Sequence, residues 1–319
     1  MSLNDFTYEE TIPPTGEDGA VLARTLFLSV DPTNRVWMKD VPQYMPPVGI
    51  GEVMRSGGLA EVVESRLQGF TPGDLVFGMT GWQDYSLLRQ GGALGLAKIP
   101  SVPGIAPEKF LGVCGPNGVT AYAGIIEIAD VGEDDTVVIT AAAGSVGSAA
   151  GQIAKLRGAY VVGIAGGADK ARMLVDHYGF DAGVDYRADD FREQLKAATP
   201  NGVNVLFENV GGEIMEAVIA QMTPRGRIAL CGMISVYEGG RTTTYDWAPI
   251  MAKRLKVQGF NLIDCARLWP HAARELAQWV SEGKIKADET IVDGLEKAPE
   301  ALNMLFEGKN RGKMLVRVA

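Results

Sequence analysis

Histidine and cysteine are scarce: the 319 residues hold two of the first, His177 and His271, and three of the second, Cys114, Cys231 and Cys265. None of the cysteines forms a CxxC pair, so a four-cysteine structural zinc site is excluded. A mixed Cys/His site would have to be assembled from distant residues without a local signature, and no metal is expected. Both histidines fall on helical patterns, where surface or satisfied histidines are the common case, and Cys231 reads as a small buried residue rather than a nucleophile. An odd cysteine count suits a reducing compartment. No apolar run approaches the ~18 residues of a membrane-crossing helix, and the N-terminus lacks the charged-then-apolar order of a signal peptide. The chain is therefore expected to be soluble and cytoplasmic, with no membrane partner. Basic residues are outnumbered, 30 against 39 acidic, and the net charge of -9 argues against a nucleic-acid partner while leaving room for one local phosphate pocket. Neither a GxSxG nucleophile elbow nor a GxxxxGK[ST] phosphate loop occurs.

What is present is apolar and rich in turns: 46% hydrophobic residues with 40 glycines, over a length that suits roughly two domains with buried cores. The first hundred or so residues carry short apolar stretches broken by Gly and Pro, such as Leu75-Val76-Phe77 and Tyr85-Ser86-Leu87-Leu88, the pattern of a small loop-rich β domain. From Thr136 the rhythm changes to Val/Ile strands alternating with helix-length segments: strands at 136–140, 160–164, 203–207 and 227–231, helices at 146–156, 170–178 and 214–222. Continuous apolar strands between helices predict a parallel sheet covered on both faces. A further strand is expected from Leu255 to Leu262 and a helix from His271 to Val280. The tail offers Ile291-Val292, a helix near 300–306 and a strand over 314–318. The N-terminal β domain is expected to be completed by this tail, with the α/β unit inserted between.

The strongest chemical signal is Thr140-Ala141-Ala142-Ala143-Gly144-Ser145-Val146-Gly147, between an apolar strand and a helix. Such a turn fits a dinucleotide pyrophosphate: Gly144 admits the backbone to the phosphates, amides at the helix start donate, and Gly147 brings helix and strand together. Ala142 stands where the first glycine usually is, and the bland reading is a tight βα turn of any α/β protein. An NAD-preferring site would end the second strand on a carboxylate about 20 residues beyond the turn. Here Ala165-Gly166-Gly167-Ala168 stands there, followed by Asp169, Lys170 and Arg172 on the helix. A lysine attracts the 2'-phosphate that an acid would repel, so NADPH is favoured. Tyr186 and Arg187 are further candidates beside that phosphate, although solvated loop charge is the ordinary reading of Arg172 and Arg187. The turns Phe207-Glu208-Asn209-Val210-Gly211-Gly212 and Cys231-Gly232-Met233-Ile234-Ser235 follow later strands, where ribose and nicotinamide bind in such sheets; a glycine turn with a capping Asn explains them equally.

Several motifs carry a family resemblance. Leu28-Ser29-Val30-Asp31-Pro32, Pro46 to Met54, Gly81-Trp82-Gln83-Asp84-Tyr85-Ser86, Gly118-Val119-Thr120-Ala121-Tyr122, Ala141 to Gly147 and Gly308 to Lys313 resemble the medium-chain dehydrogenase/reductase superfamily. More narrowly, they resemble its zinc-independent branch of prostaglandin reductases, leukotriene 12-hydroxydehydrogenases and alkenal double-bond reductases. The resemblance implies an α/β chain with a GroES-like catalytic domain over 1–115 and 289–319 and a doubly wound Rossmann domain over 116–288. It implies NADPH-dependent reduction of the C=C bond of small-molecule enals and enones, in a homodimer. By the same resemblance Thr120, Gly144, Ser145, Val146, Gly147, Lys170, Tyr186, Asn209, Cys231, Ser235, Tyr237 and Asn310 contact the cofactor, with Lys170 and Tyr186 on the 2'-phosphate and Asn310 at the nicotinamide. Zinc-dependent relatives place Gly-His-Glu where this chain reads Gly49-Ile50-Gly51-Glu52. The chain also departs from the family in starting almost directly at Phe6, so that a first strand is expected to be missing, and in reading Pro116-Asn117 where relatives often have Met-Pro.

An enone needs a hydride at its β-carbon, a donor to polarise the carbonyl and a proton for the α-carbon. Hydride comes from the cofactor, and without a metal or well-placed histidine the donors left are tyrosine and ribose hydroxyls. Tyr44 matches a cleft tyrosine of the family and is the first catalytic candidate, against a plain packing role; Tyr245 is the second, and Trp82 is a candidate pocket floor or core aromatic. A quinone reductase of the same superfamily, or an NADPH-binding protein with little turnover, would share all these features.

Overall fold

The computed structural model describes residues 2–91, 94–237, 239 and 246–319. Its contacts divide the chain into one unit of Met1–Gly115 with Asp288–Ala319, and a second of Pro116–Ala287.

Along the first unit run β1 (Val21–Val30), α1 (Thr33–Trp37), β2 (Gly58–Ser65), β3 (Leu75–Gly78), β4 (Tyr85–Leu88) and β5 (Ala97–Lys98). The second contains α2 (Pro116–Tyr122), β6 (Thr136–Ile139), α3 (Ser145–Leu156), β7 (Tyr160–Ala165), α4 (Ala168–Asp176), β8 (Ala182–Asp185), α5 (Phe191–Ala198), β9 (Val203–Glu208), α6 (Gly212–Gln221), β10 (Met222–Leu230), α7 (Ala248–Lys253), β11 (Lys256–Gly259) and α8 (Trp269–Ser281). The chain then returns to the first unit with β12 (Glu289–Asp293), α9 (Ala298–Phe306) and β13 (Lys313–Arg317).

In the first unit β1 is the spine. Its residues 21–24 pair antiparallel with β4, residues 27–30 with β13, and its length with β2. Register shifts beside Leu22 and Thr25 bend it, the usual effect of a bulge. Alternation buries Val21, Ala23, Leu28 and Val30. Leu28 and Val30 pack with Ala298, Ala301 and Leu302 of α9 and with Met314 and Val316 of β13. Trp82 packs against that cluster and stacks on Phe6 at 5.2 Å. No strand precedes β1 among the described residues.

The second unit's sheet is parallel throughout, in the order β11-β10-β9-β6-β7-β8. This is the doubly wound order, with the reversal between β6 and β9 where ligands bind at the strands' carboxyl ends. Val137, Val138 and Ile139 of β6 and Val161, Val162 and Ile164 of β7 are almost wholly buried, as strands covered on both faces require. The strand expected over 255–262 ends earlier, at Gly259. Asn261 Oδ1 accepts from the amides of Ile263 and Asp264, and this side-chain cap starts a 3-10 turn over Leu262–Cys265 instead. Among the described residues no helix is long and apolar enough to cross a membrane.

Candidate cofactor site

β6 delivers the chain into a tight turn. Ala141 takes a left-handed φ of 48°, uncommon for a residue with a side chain. Its carbonyl accepts from Gly144 N at 3.0 Å, while Ala142 N donates to Ile164 O of β7 at 3.0 Å. The turn is thus pinned on both sides. α3 then starts on Gly144, which has no side chain to cap it. Its first amides, from Ser145, Val146 and Gly147, are the open donors of a helix start, where an anion is stabilised. A Cβ on Gly147 would lie 2.4 Å from Ala141 O and 2.8 Å from Ala142 Cα, so only glycine brings the helix this close. The cradle fits a pyrophosphate.

The next strand, β7, ends on Ala165 without a carboxylate, as the sequence indicates. Gly166 beside it is covered by two side chains: a Cβ there would sit 2.9 Å from the Tyr186 ring and 3.0 Å from Arg187 Nε. The Arg187 guanidinium lies 5.7 Å from the centre of the Tyr186 ring, a cation-π distance. Lys170 is half-buried in the first turn of α4. Arg172 is exposed and pairs with Asp169 at 3.7 Å. Asp185, at the end of β8, looks like a misplaced ribose acid but is spent on backbone. Its Oδ1 accepts from Gly167 N at 2.7 Å and Arg187 N at 2.9 Å. This tie sets the β7 and β8 ends side by side, and with them Tyr186 and Arg187 next to the start of α4. A phenol and an arginine on a glycine floor, with a lysine in the first turn of the helix that follows, fit a 2'-phosphate.

Across the switch point the β9 turn is held differently. Glu208 is fully buried, and its Oε1 accepts from Val210 N at 2.5 Å and Gly211 N at 2.6 Å. Burial pushes its carboxyl up to about 7, against these amides, the Thr140 hydroxyl and the Asn209 amide, which lower it. Asn209 serves the fold with its donor: Nδ2 donates to Thr140 O at 2.8 Å, and its backbone N donates to Thr140 Oγ1 at 2.7 Å. The loop after β10 is laced to this turn through Cys231 N and Gly232 N to Glu208 O, Ile234 N to Asn209 O and Ser235 N to Val210 O, all within 2.9–3.1 Å. Tyr237 closes the loop by accepting from Met233 N at 3.2 Å. The Cys231 thiol is pushed up to about 12 by burial, so it is inert as a nucleophile. Thr120 donates to Pro116 O at 2.8 Å within α2.

The structure therefore brings Gly144 to Gly147, Lys170, Tyr186, Asn209, Cys231 and Ser235 to one carboxyl edge of one sheet. Sequence reasoning missed Asp185, Thr140 and the Gly166 floor. In the first unit, Asn310 is buried and donates from Nδ2 to Gly312 O at 3.0 Å. Tyr44 is half-exposed; its hydroxyl accepts from Trp37 Nε1 at 3.0 Å and shares a hydrogen bond with the Thr33 hydroxyl. Tyr245 lies outside the described residues.

Residues 1–96 match the family model described as the N-terminal domain of oxidoreductase, and residues 145–282 the one described as zinc-binding dehydrogenase. The chain is 42% identical to an NADPH-dependent curcumin reductase of Escherichia coli over 99% of its own length and 92% of that protein's. It is 36% identical to a 2-alkenal reductase (NADP(+)-dependent) of Nicotiana tabacum, covering 100% of this chain and 92% of the relative. Among solved structures, CurA from Vibrio vulnificus in complex with NADPH superposes with a TM-score of 0.91 at 40% identity, over 98% of this chain and 93% of the other. With both halves matched and the likeness running end to end, the chain belongs to the medium-chain dehydrogenase/reductase superfamily, in its branch of prostaglandin and alkenal double-bond reductases.

Proposed function

We propose that the chain is an NADPH-dependent oxidoreductase that reduces the C=C bond of small α,β-unsaturated aldehydes and ketones. The observation that carries the coenzyme half is the Gly166 floor flanked by Tyr186 and Arg187, with the one nearby strand-end carboxylate, Asp185, bound up in backbone amides. The substrate half is supported by end-to-end likeness to a curcumin reductase and a 2-alkenal reductase. When bound, NADPH supplies the hydride to the β-carbon.

The protein's part is to bind, orient and manage one proton. The α3 amides hold the pyrophosphate, and Lys170, Tyr186 and Arg187 hold the 2'-phosphate. Thr120, Asn209, Cys231, Ser235, Tyr237 and Asn310 line the remainder of the coenzyme. Tyr44 stabilises the enolate oxygen or delivers the proton that the α-carbon takes up. Trp37 supports that role by donating into the phenol oxygen, which orients the hydroxyl. The Gly49–Glu52 segment does not fit zinc: Ile50 stands exposed there with no donor atom. We place the enzyme in the cytoplasm, since three free thiols suit a reducing compartment. We also propose a homodimer joined through β11, the edge strand beside which Trp247, Met251 and Val257 are exposed.

The test is to follow loss of reduced nicotinamide with NADPH and a panel of enals, enones and quinones. Turnover of enones above quinones is expected. Coenzyme binding without consumption on any panel member would overturn the reductase reading.

A further inference from the structure

Glu208 is costly where it stands. One carboxylate oxygen takes two backbone amides, while Oε2 has no hydrogen-bond partner among the described residues. A buried carboxyl with an unmet oxygen lowers stability, and a neutral side chain would serve the same two amides more cheaply. Its position is informative. It holds the Asn209–Gly211 turn from inside, and the 231–235 loop hangs on four backbone hydrogen bonds, two to that turn and two to the carbonyl of Glu208 itself.

We propose that Glu208 is a positioning residue for the coenzyme, its buried carboxyl group setting the shape of the 209–211 turn and the 231–235 loop that meet the nicotinamide half of NADPH. The inference rests on the reading of these segments as coenzyme contacts. The side chains set against Glu208 are Thr140 from the end of β6 and Cys231 from the end of β10, together with the Val210 and Gly211 amides just ahead of α6. Cys231 is the titratable one, and it stays a neutral thiol throughout the working range. A bound polyanion would shield the turn from water and add negative charge nearby, and both favour the protonated carboxyl. By linkage, NADPH affinity then falls as pH rises through neutrality, where this carboxyl titrates.

The experiment measures NADPH dissociation constants from about pH 6 to pH 8.5 for the wild type, Glu208→Gln and Glu208→Ala. Glu208→Gln keeps an acceptor for the two amides and cannot ionise, and the coenzyme's own phosphate titrates identically in both proteins. We expect the wild-type constant, divided by that of Glu208→Gln, to rise at least threefold across this range. Glu208→Ala should raise the KM for NADPH about tenfold or more at both ends, with a smaller change in kcat. A ratio that stays flat with pH, whatever the melting temperatures, would overturn the proposal, and so would Glu208→Ala binding NADPH like the wild type. If Glu208→Ala does not fold, the Glu208→Gln ratio decides alone. Tight wild-type binding with a flat ratio defeats this inference only; no NADPH binding by the wild type defeats the coenzyme reading as well.

Discussion

Two turns leave neighbouring strands of one sheet, and each runs into a helix: Thr140–Gly144 into α3 and Asn209–Gly211 into α6. Both helices have glycine at the N-cap, and so both start without a cap from that residue. Just ahead of α6, however, the carboxylate of Glu208 takes the Val210 and Gly211 amides and braces the turn from within. At α3 no carboxylate stands on the strand before it, which ends Val138-Ile139. One glycine turn is thus braced from within by an acidic side chain, and the other is not. We propose that this difference leaves the start of α3 open to an anion.

Several substitutions would sharpen or break this contrast. The largest effect is expected for Gly147→Val. Its Cβ would strike Ala141 O and Ala142 Cα, so NADPH affinity should fall by about a hundredfold or more and stability by about 1–3 kcal/mol, read by titration and by thermal melting. Tyr44→Phe should lower kcat for an enone by about a hundredfold while leaving NADPH binding intact; an unchanged kcat would return Tyr44 to a packing role. Lys170→Ala should weaken NADPH by about 1.5–3 kcal/mol, tenfold or more, and barely affect NADH. Equal losses for the two coenzymes would defeat the 2'-phosphate assignment.

A smaller effect concerns stability and pH. The Glu208 carboxyl is raised from 4.5 to about 7 in the folded protein, so the fold prefers the protonated form. Its contribution is greatest below the unfolded value near 4.5 and is lost as pH rises through about 7. Glu208→Gln should flatten that part of a denaturation profile measured from pH 5 to 8.5. The smallest effect is expected for Val257→Lys on the β11 edge: light scattering should show weakened dimers with coenzyme affinity unchanged.

Much of the fold was legible because its signals are local. The change from broken β stretches to strand-helix alternation near Thr136 follows from periodicity alone, and the α3 turn from glycine spacing. The proposal for Lys170 rests on a charge argument that needs only the missing acid after β7. Other features depend on contacts between distant segments. Asp185 reads as a free acid until its oxygen is seen on Gly167 N and Arg187 N. Trp37, Thr33 and Tyr44 meet around one phenol oxygen at spacings that match neither helix nor strand period. The strand read through Leu262 stops at Gly259 because one asparagine side chain outcompetes the ladder.

The pairing of Phe27–Val30 with Met314–Arg317 has a consequence for how the polypeptide is made. During synthesis the opening β1 strand leaves the ribosome long before its partner β13 is translated, so that edge stays open while the parallel-sheet unit, whose strands all lie between, is already complete. Removing the final hairpin-length stretch of codons would leave β1 with a bare flank, and such a product should be captured by chaperones or aggregate rather than accumulate as a shorter enzyme.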